Sequence, residues 1–391
     1  MTELPSPLQA LIRKGVAVPH PESVYVAPEV NPDRIHSGAT LHPGTRLLGA
    51  SLSIGPDCEI GGETPATVDG CQLGAKVSLK GGYFKGAVFL DGAGAGSAAH
   101  VRPGCLLEEQ AGIAHAVGLK QTILFPFVTL GSLINFCDVL MAGGTSRKNH
   151  SEVGSSFIHF NFTPHGDKAT ASLIGEVARG VLLDQPPIFL GGQGGIVGPV
   201  EMTYGVVQAA GGVCRRDLPE PDHLYQSAPS GERYKPYRMG AVREPAAKLE
   251  KNLRYLGNLS ALRLWYRNFR RPLAGTDPFR LACLDGAEAL LEGALKERRK
   301  RLAAWGEIAV GADAEFDAAW PGVMEAVDAA LEAEGDGAVP AEVAGRASGA
   351  GSDYVETVRG LAAADREAIT TTLQHEINRF ARAADLLNQE T

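Results

Sequence analysis

Three of the chain's ten histidines, His150, His159 and His165, fall within sixteen residues, in the stretch TSRKNHSEVGSSFIHFNFTPHGDKAT that runs from Thr145 to Thr170. Arg147, Lys148, Glu152, Asn161, Asp167 and Lys168 share it. Three chemistries suit such a set. A neutral imidazole takes a proton from an attacking amine or hydroxyl. Three imidazoles at a subunit interface hold zinc or iron. Failing both, the rings bond carbonyls where the chain turns. His159 and His165 are six residues apart, and His150 and Lys168 eighteen. These spacings bring side chains together only on a scaffold that repeats every six residues. Thr163-Pro164 and His165-Gly166 are turn pairs that would push part of the stretch outward as a loop.

A six-residue period is what the rest of residues 1–217 shows. Ile35, Leu41 and Leu47 are six apart, and Leu48, Ile54 and Ile60 follow after a slip of one. Val101, Leu107, Ile113, Leu119 and Phe125 form the longest ladder, and Leu124, Leu130 and Phe136 continue it in a shifted frame. Apolar–glycine pairs such as Ile54-Gly55, Leu73-Gly74 and Leu130-Gly131 recur along it. A short strand and a tight turn cover one flat side, and three sides close a triangular coil with the aliphatic residue inside. The period therefore predicts a parallel β-helix over residues 20–217. Gly61–Asp69, Asp91–Ala99 and Arg179–Gln193 break the period and are expected as loops thrown from its corners. A β-sandwich is the competing fold, and poor period-two alternation argues against it.

Beyond residue 217 the grammar changes. Of the 48 glycines, 33 lie in residues 1–217, and Ala, Glu, Arg and Leu dominate afterwards, which favours helix. Residues 218–245, rich in Pro and Tyr, are expected as an extended linker. Residues 246–391 are expected as an α-helical region, with helical patterns near 246–269, 277–310, 314–333 and 352–387 and a flexible linker near 335–351. From Arg215 to Arg271 there are 13 Lys/Arg against 6 Asp/Glu, in a chain of formal charge −8. That stretch is either a helical face paired with acidic neighbours or a lip for an anionic ligand. The overall charge argues against nucleic acid or anionic membrane as a partner. No apolar run reaches the roughly 18 residues that span a bilayer, and residues 1–15 carry no secretory signal. Six scattered cysteines without a CxxC pair fit reduced, buried thiols and a cytoplasmic location.

Four motifs carry a family resemblance. Val101–Gly104 (VRPG), Val153–Lys168, Ile196–Met202 (IVGPVEM) and Ala209–Asp217 (AAGGVCRRD) resemble segments of the acetyltransferase half of the bacterial bifunctional UDP-N-acetylglucosamine pyrophosphorylase/glucosamine-1-phosphate N-acetyltransferase. Proteins described as UDP-N-acetylglucosamine pyrophosphorylase-related are similar as well, with a β-helix and a helical tail. The resemblance implies a left-handed coil and a homotrimer of parallel prisms with the site in the groove between two of them. It implies acyl transfer from acetyl-CoA to a phosphorylated sugar or nucleotide sugar. Arg102, Lys120, Lys148, His159, Asn161 and Lys168 would bind that acceptor, and His150 or His165 would deprotonate it. Gly198, Ala210 and Gly211 would hold the pantetheine of the cofactor, and Arg215 or Arg216 its phosphates. No metal is expected. The family's catalytic histidine aligns with Asn135 or Phe136, so either the base has moved to His150 or the acetyl-transfer site has decayed. Nothing in the sequence reads as a pyrophosphorylase nucleotide loop, and that reaction is not expected of this chain. The alternatives are a sugar-nucleotide-binding scaffold whose helical tail docks a protein partner, and a metal-dependent enzyme resembling γ-type carbonic anhydrase. The latter has two histidines five apart and a third far upstream, a spacing that His150, His159 and His165 do not match.

Overall fold

The computed structural model describes residues 6–160, 171–228, 245–311, 314–333 and 353–388, with a few isolated positions between 229 and 244. Asn161, His165 and Lys168, and the expected linker near 335–351, lie outside the described residues.

After a short helix α1 (Ser6–Lys14), the chain winds as a left-handed parallel β-helix with three flat faces. The first face starts with Tyr25–Val26, Arg46–Leu48, Ala66–Asp69, Gly82–Lys85 and Ala99–Val101. The second starts with Ser53–Ile54, Gln72–Leu73, Ala87–Phe89 and Cys105–Leu107. The third is a separate ten-stranded sheet from Thr40–Leu41 to Leu224–Tyr225. Gly118–Leu124 and Asn135–Met141 run through a corner and join the first two faces into one sheet.

Gly94 pairs Gly112, a step of 112 − 94 = 18 residues, or three hexapeptides. Each apolar ladder therefore visits the three faces in turn. Ile35, Leu41 and Leu47 point inward from the second, third and first faces, and Leu107, Ile113 and Leu119 do the same lower down, all 5% exposed or less. The frame slips because Leu106 pairs Ile123, a step of 123 − 106 = 17, so Leu124 takes the inward place that Phe125 would have held. Gln121, with a φ of +49°, turns that shortened corner.

The expected loops are displaced. Ala66–Asp69 and Gly94–Ala95 are strands of the first and third faces, and Phe189–Leu190 is a strand of the third. Around Gly94 the inward residue is Ala95, too small to register as a ladder position. Of the larger excursions, one is unforeseen and the other overlaps the expected loop at Arg179–Gln193. A β-hairpin pairs Gly144–Ser146 with Asn149–His150, and a second excursion between Ile174 and Phe189 carries α2 (Val177–Gly180). Leu224–Tyr225, inside the expected linker, still pairs Val207–Gln208 as a last strand.

The helical region packs on the second face. It comprises α3 (Pro245–Trp265), a π-helical turn at Tyr266–Arg270, α4 (Arg271–Ala274), α5 (Pro278–Ala309), α6 (Ala314–Glu332), α7 (Tyr354–Arg359) and α8 (Ala363–Ala381). Strand residues that would face solvent there, Val88, Leu106, Ile123, Leu140 and Leu173, are all buried. Part of the basic stretch meets acidic partners on the prism. Lys251 bonds Asp217 at 2.8 Å, Arg254 bonds Glu201 at 2.5 Å, and Arg270 grips Glu109 with two bonds of 2.7 and 2.8 Å.

Candidate functional site

With the second face covered, the first presents the exposed His100 and Arg102. Residues two apart in a strand point to the same side, so His100 and Arg102 both point outward. Pairing sets His100 beside Gly118, Gly118 beside Asn135, and Lys120 beside Cys137. A side chain added at Gly118 would meet only the Ile134 carbonyl, at 3.9 Å. The result is a notch one side chain wide, with His100 above it and Asn135 below. Arg102 and Lys120 border the notch. The Arg102 guanidinium comes within 3.5 Å of the Cys137 sulfur, and the Cys137 thiol donates to Asn135 Oδ1 at 3.1 Å. Burial pushes the Cys137 thiol up from its ordinary value, and the Arg102 charge opposes that shift. The His100 ring lies 5.2 Å from that of Tyr83, one coil above.

The corner through which the chain enters this face is also polar. His115 Nδ1 is 2.8 Å from the Ser132 hydroxyl, and the Ser132 amide donates to Ser155 Oγ at 3.1 Å. His115 and Ser132 each stand three residues before a notch position, Gly118 and Asn135. Two cations beside a vacant position suit a phosphoryl or carboxylate group. An exposed imidazole across the notch suits proton transfer.

Of the expected acceptor-binding residues, Arg102 and Lys120 are thus brought together. The other expected residues are dispersed. His150 and Lys148 sit on the hairpin between the second and third faces, on another edge of the prism. There His150 Nδ1 is 2.9 Å from the Arg147 carbonyl and Nε2 is 3.7 Å from Glu152. His159, expected among the acceptor-binding groups, turns into the prism. It occupies the ladder place between Phe136 and Ile196 and is 3% exposed. Its ring nitrogens lie 2.7 Å from the Cys137 carbonyl and 2.8 Å from the Ser172 hydroxyl. Burial lowers its pKa to about 4, so it is a neutral core residue with no atom free for a ligand. Gly198, Arg215 and Arg216 lie at the corner between the first and second faces, whereas Ala210 and Gly211 lie at the opposite edge of the first. The Gly198 and Gly211 amides already donate, to Phe160 and Gly192. Arg215 and Arg216 are exposed.

Sequence reasoning missed His100 and His115. The signal for His100 was available, two residues ahead of Arg102, with Lys120 one coil of eighteen residues beyond Arg102. Among the described residues no group of three His, Cys, Asp or Glu side chains is arranged to hold a metal, and no helix is long and apolar enough to cross a membrane. All six cysteines are free and buried.

No family model matches the chain. The chain is 30% identical to the bifunctional protein GlmU of Nocardia farcinica over 212 residues, covering 54% of this chain and 38% of that protein. GlmU of Thermus thermophilus is 31% identical over 207 residues, covering 53% and 41%. The chain spans about two fifths of the length of these curated relatives. Among solved structures, UDP-N-acetylglucosamine acyltransferase from Campylobacter jejuni matches at 13% identity with a TM-score of 0.21, covering 54% of this chain and 69% of that one. LpxA from Acinetobacter baumannii matches at 13% identity with a TM-score of 0.19, covering 70% and 97%. In sequence the chain is therefore similar to GlmU proteins, and in fold it is a left-handed β-helix with a helical region appended.

Proposed function

We propose that this chain is an acyltransferase-like protein that holds a phosphorylated sugar or nucleotide sugar on the first face of its prism and takes the acyl group from an acyl-CoA donor such as acetyl-CoA. The observation that carries this reading is the notch at Gly118, where Arg102 and Lys120 border an open position between His100 and Asn135. In this reading Arg102 and Lys120 hold the phosphoryl group. His100 takes the proton from the acceptor's amine or hydroxyl as that group attacks the thioester carbonyl. The thiolate of coenzyme A leaves and receives the proton. This puts the base on the notch itself. His150 joins the notch only if a neighbouring prism supplies its hairpin.

Self-association is part of the proposal. Phe189, Val207 and Leu224 stack in register on the third face, 36–67% exposed, and Ile158 and Phe160 are exposed on the first. These apolar columns support a homotrimer with prisms side by side and the helical layer outside. The test is thiol release from acetyl-CoA with amino-sugar phosphates and nucleotide sugars as acceptors. Arg102→Ala and Lys120→Ala are expected to raise KM for the acceptor about 10- to 100-fold each. His100→Ala is expected to lower kcat by about 10²–10⁴. Turnover untouched by all three changes would remove the first face from consideration.

One observation favours a second reading, a sugar-nucleotide-binding protein without catalysis. His159 is sealed in the core and His150 stands away from the notch, so two histidines of the sequence cluster do not reach the two cations. Tight acceptor binding at Arg102 without thiol release would select this reading.

A further inference from the structure

The helical layer contains a cleft of about 350 Å³ that is separate from the first face. Ser260, Arg263, Arg267, Asn268 and Arg271 line it from one side of the continuous helical run of α3, the π-helical turn and α4. Glu288 of α5 and Glu376 of α8 stand opposite. Each carboxylate around the cleft is already engaged. Glu292 takes Arg267 at 2.7 Å, and Glu288 takes Arg271 at 2.8 Å. Glu376 takes Arg379 at 2.6 and 2.9 Å as well as the Ser260 hydroxyl.

Two lining side chains are left over. Half-buried Arg263 makes no ion pair or hydrogen bond among the described residues, and the Asn268 side chain makes none either. Nearby, Arg379 Nη1 is buried without a partner. An unpaired guanidinium between two others costs stability, because burial and like charge both oppose it. Both effects lower the pKa of Arg263, burial first and then Arg267. The π-helical turn beside it is a feature that recurs at ligand sites. A volume of this size lies at the small end of those that take small molecules.

We propose that this cleft binds a phosphoryl group, as inorganic phosphate or on a phosphorylated small molecule, through the Arg263 guanidinium and the Asn268 amide. Phosphate supplies the acceptor oxygens that both side chains lack, and it gives the Arg263 guanidinium a counter-charge in direct contact. The site is distinct from the acceptor notch and stands whether or not that notch is catalytic.

The test is thermal unfolding of the full chain in increasing inorganic phosphate, at constant ionic strength with chloride as balance, and again with a hexose phosphate. A ligand that binds only the folded state raises the midpoint in a saturable way. Wild type and Arg102→Ala are expected to show that rise. Arg263→Ala is expected to weaken the apparent affinity at least about tenfold, and Arg263→Lys to restore part of it. Asn268→Asp should abolish the response by placing a carboxylate where the anion sits, both cleft changes being made in the Arg102→Ala background so that the notch contributes nothing. A larger response to hexose phosphate than to inorganic phosphate at matched concentration would identify the phosphorylated small molecule as the ligand. No saturable rise in Arg102→Ala, or a rise there that Arg263→Ala and Asn268→Asp leave unchanged, overturns the proposal.

Discussion

His159 occupies a place on the inner wall where the six-residue rule puts an aliphatic side chain. Its polar atoms are tolerated there because a carbonyl and a hydroxyl meet them. That arrangement holds the ring neutral, and the linkage has a definite sign. With a folded pKa of about 4 against an ordinary 6.5, the unfolded chain binds the extra proton between those values. Its contribution is fully present above pH 6.5 and is lost as pH falls toward 4, about 3 kcal/mol in all. A His159→Gln variant is expected to show a flatter decline than wild type across that window, measured as urea midpoints at pH 7, 6 and 5. Periodicity could not reveal this inward place. Asn135 pairs Ile158, a step of 158 − 135 = 23 residues that sets Phe136 beside His159, because the 144–150 hairpin lengthens that coil. By contrast, the adjacency of Arg102 and Lys120 was legible, since exactly one regular coil of 18 residues separates them.

At the scale of elements, the decisive contact is the buried clasp between the π-helical turn and the second-face corner. Arg270 lies against the Tyr354 and Tyr266 rings, bonds Glu109, and sits 3.4 Å from Glu108, which accepts from the Tyr266 hydroxyl at 2.6 Å. Two carboxylates share one guanidinium, and burial followed by the Glu109 charge raises Glu108 to about 7 against the Arg270 field. The sign is opposite to that of His159. The folded state holds the extra proton, so this stability is present at low pH and is lost as pH rises through about 7. Glu108→Gln keeps an acceptor for Tyr266 and is expected to gain stability relative to wild type between pH 5 and pH 8, read from denaturant unfolding at both values. Arg270→Met, which strands both acids, is expected to cost about 3–5 kcal/mol near neutrality. At Gly257, where α3 crosses α8, an added Cβ would stand 2.6 Å from the Ile377 carbonyl. Gly257→Ala is therefore expected to cost about 1–3 kcal/mol, seen as a lower melting midpoint. Composition announced these helices, but their charge partners lie up to 182 residues away in the chain. Local sequence could not say whether the arginines met protein or ligand.

For the whole molecule, the helical layer divides the prism into one covered face and two open ones. The apolar outer column of the second face has no other shelter, so residues 1–228 alone are expected to aggregate or to bind hydrophobic dyes, in contrast to the full chain. Light scattering on the full chain is expected to give three times the 41.1 kDa chain mass, with Phe189→Glu lowering it toward one. Fold class was readable because a coil repeats its instruction many times over. The assembly of helices on one particular face depends on contacts that appear only after the coils have stacked.

Helix α5 has a mechanical consequence. Its 32 residues extend about 48 Å, and coils stack about every 4.8 Å. The helix meets strands of four successive coils, from Ser53–Ile54 to Cys105–Leu107, and Arg298 reaches Gln121 and Asp138 on the next two. A bare solenoid frays coil by coil, because each repeat touches only its neighbours. Here a rod fastened across six of them makes separate loosening costly. Amide exchange across those coils should therefore collapse onto one shared opening rate, whereas the coils beyond Phe189, outside the rod's reach, keep rates of their own.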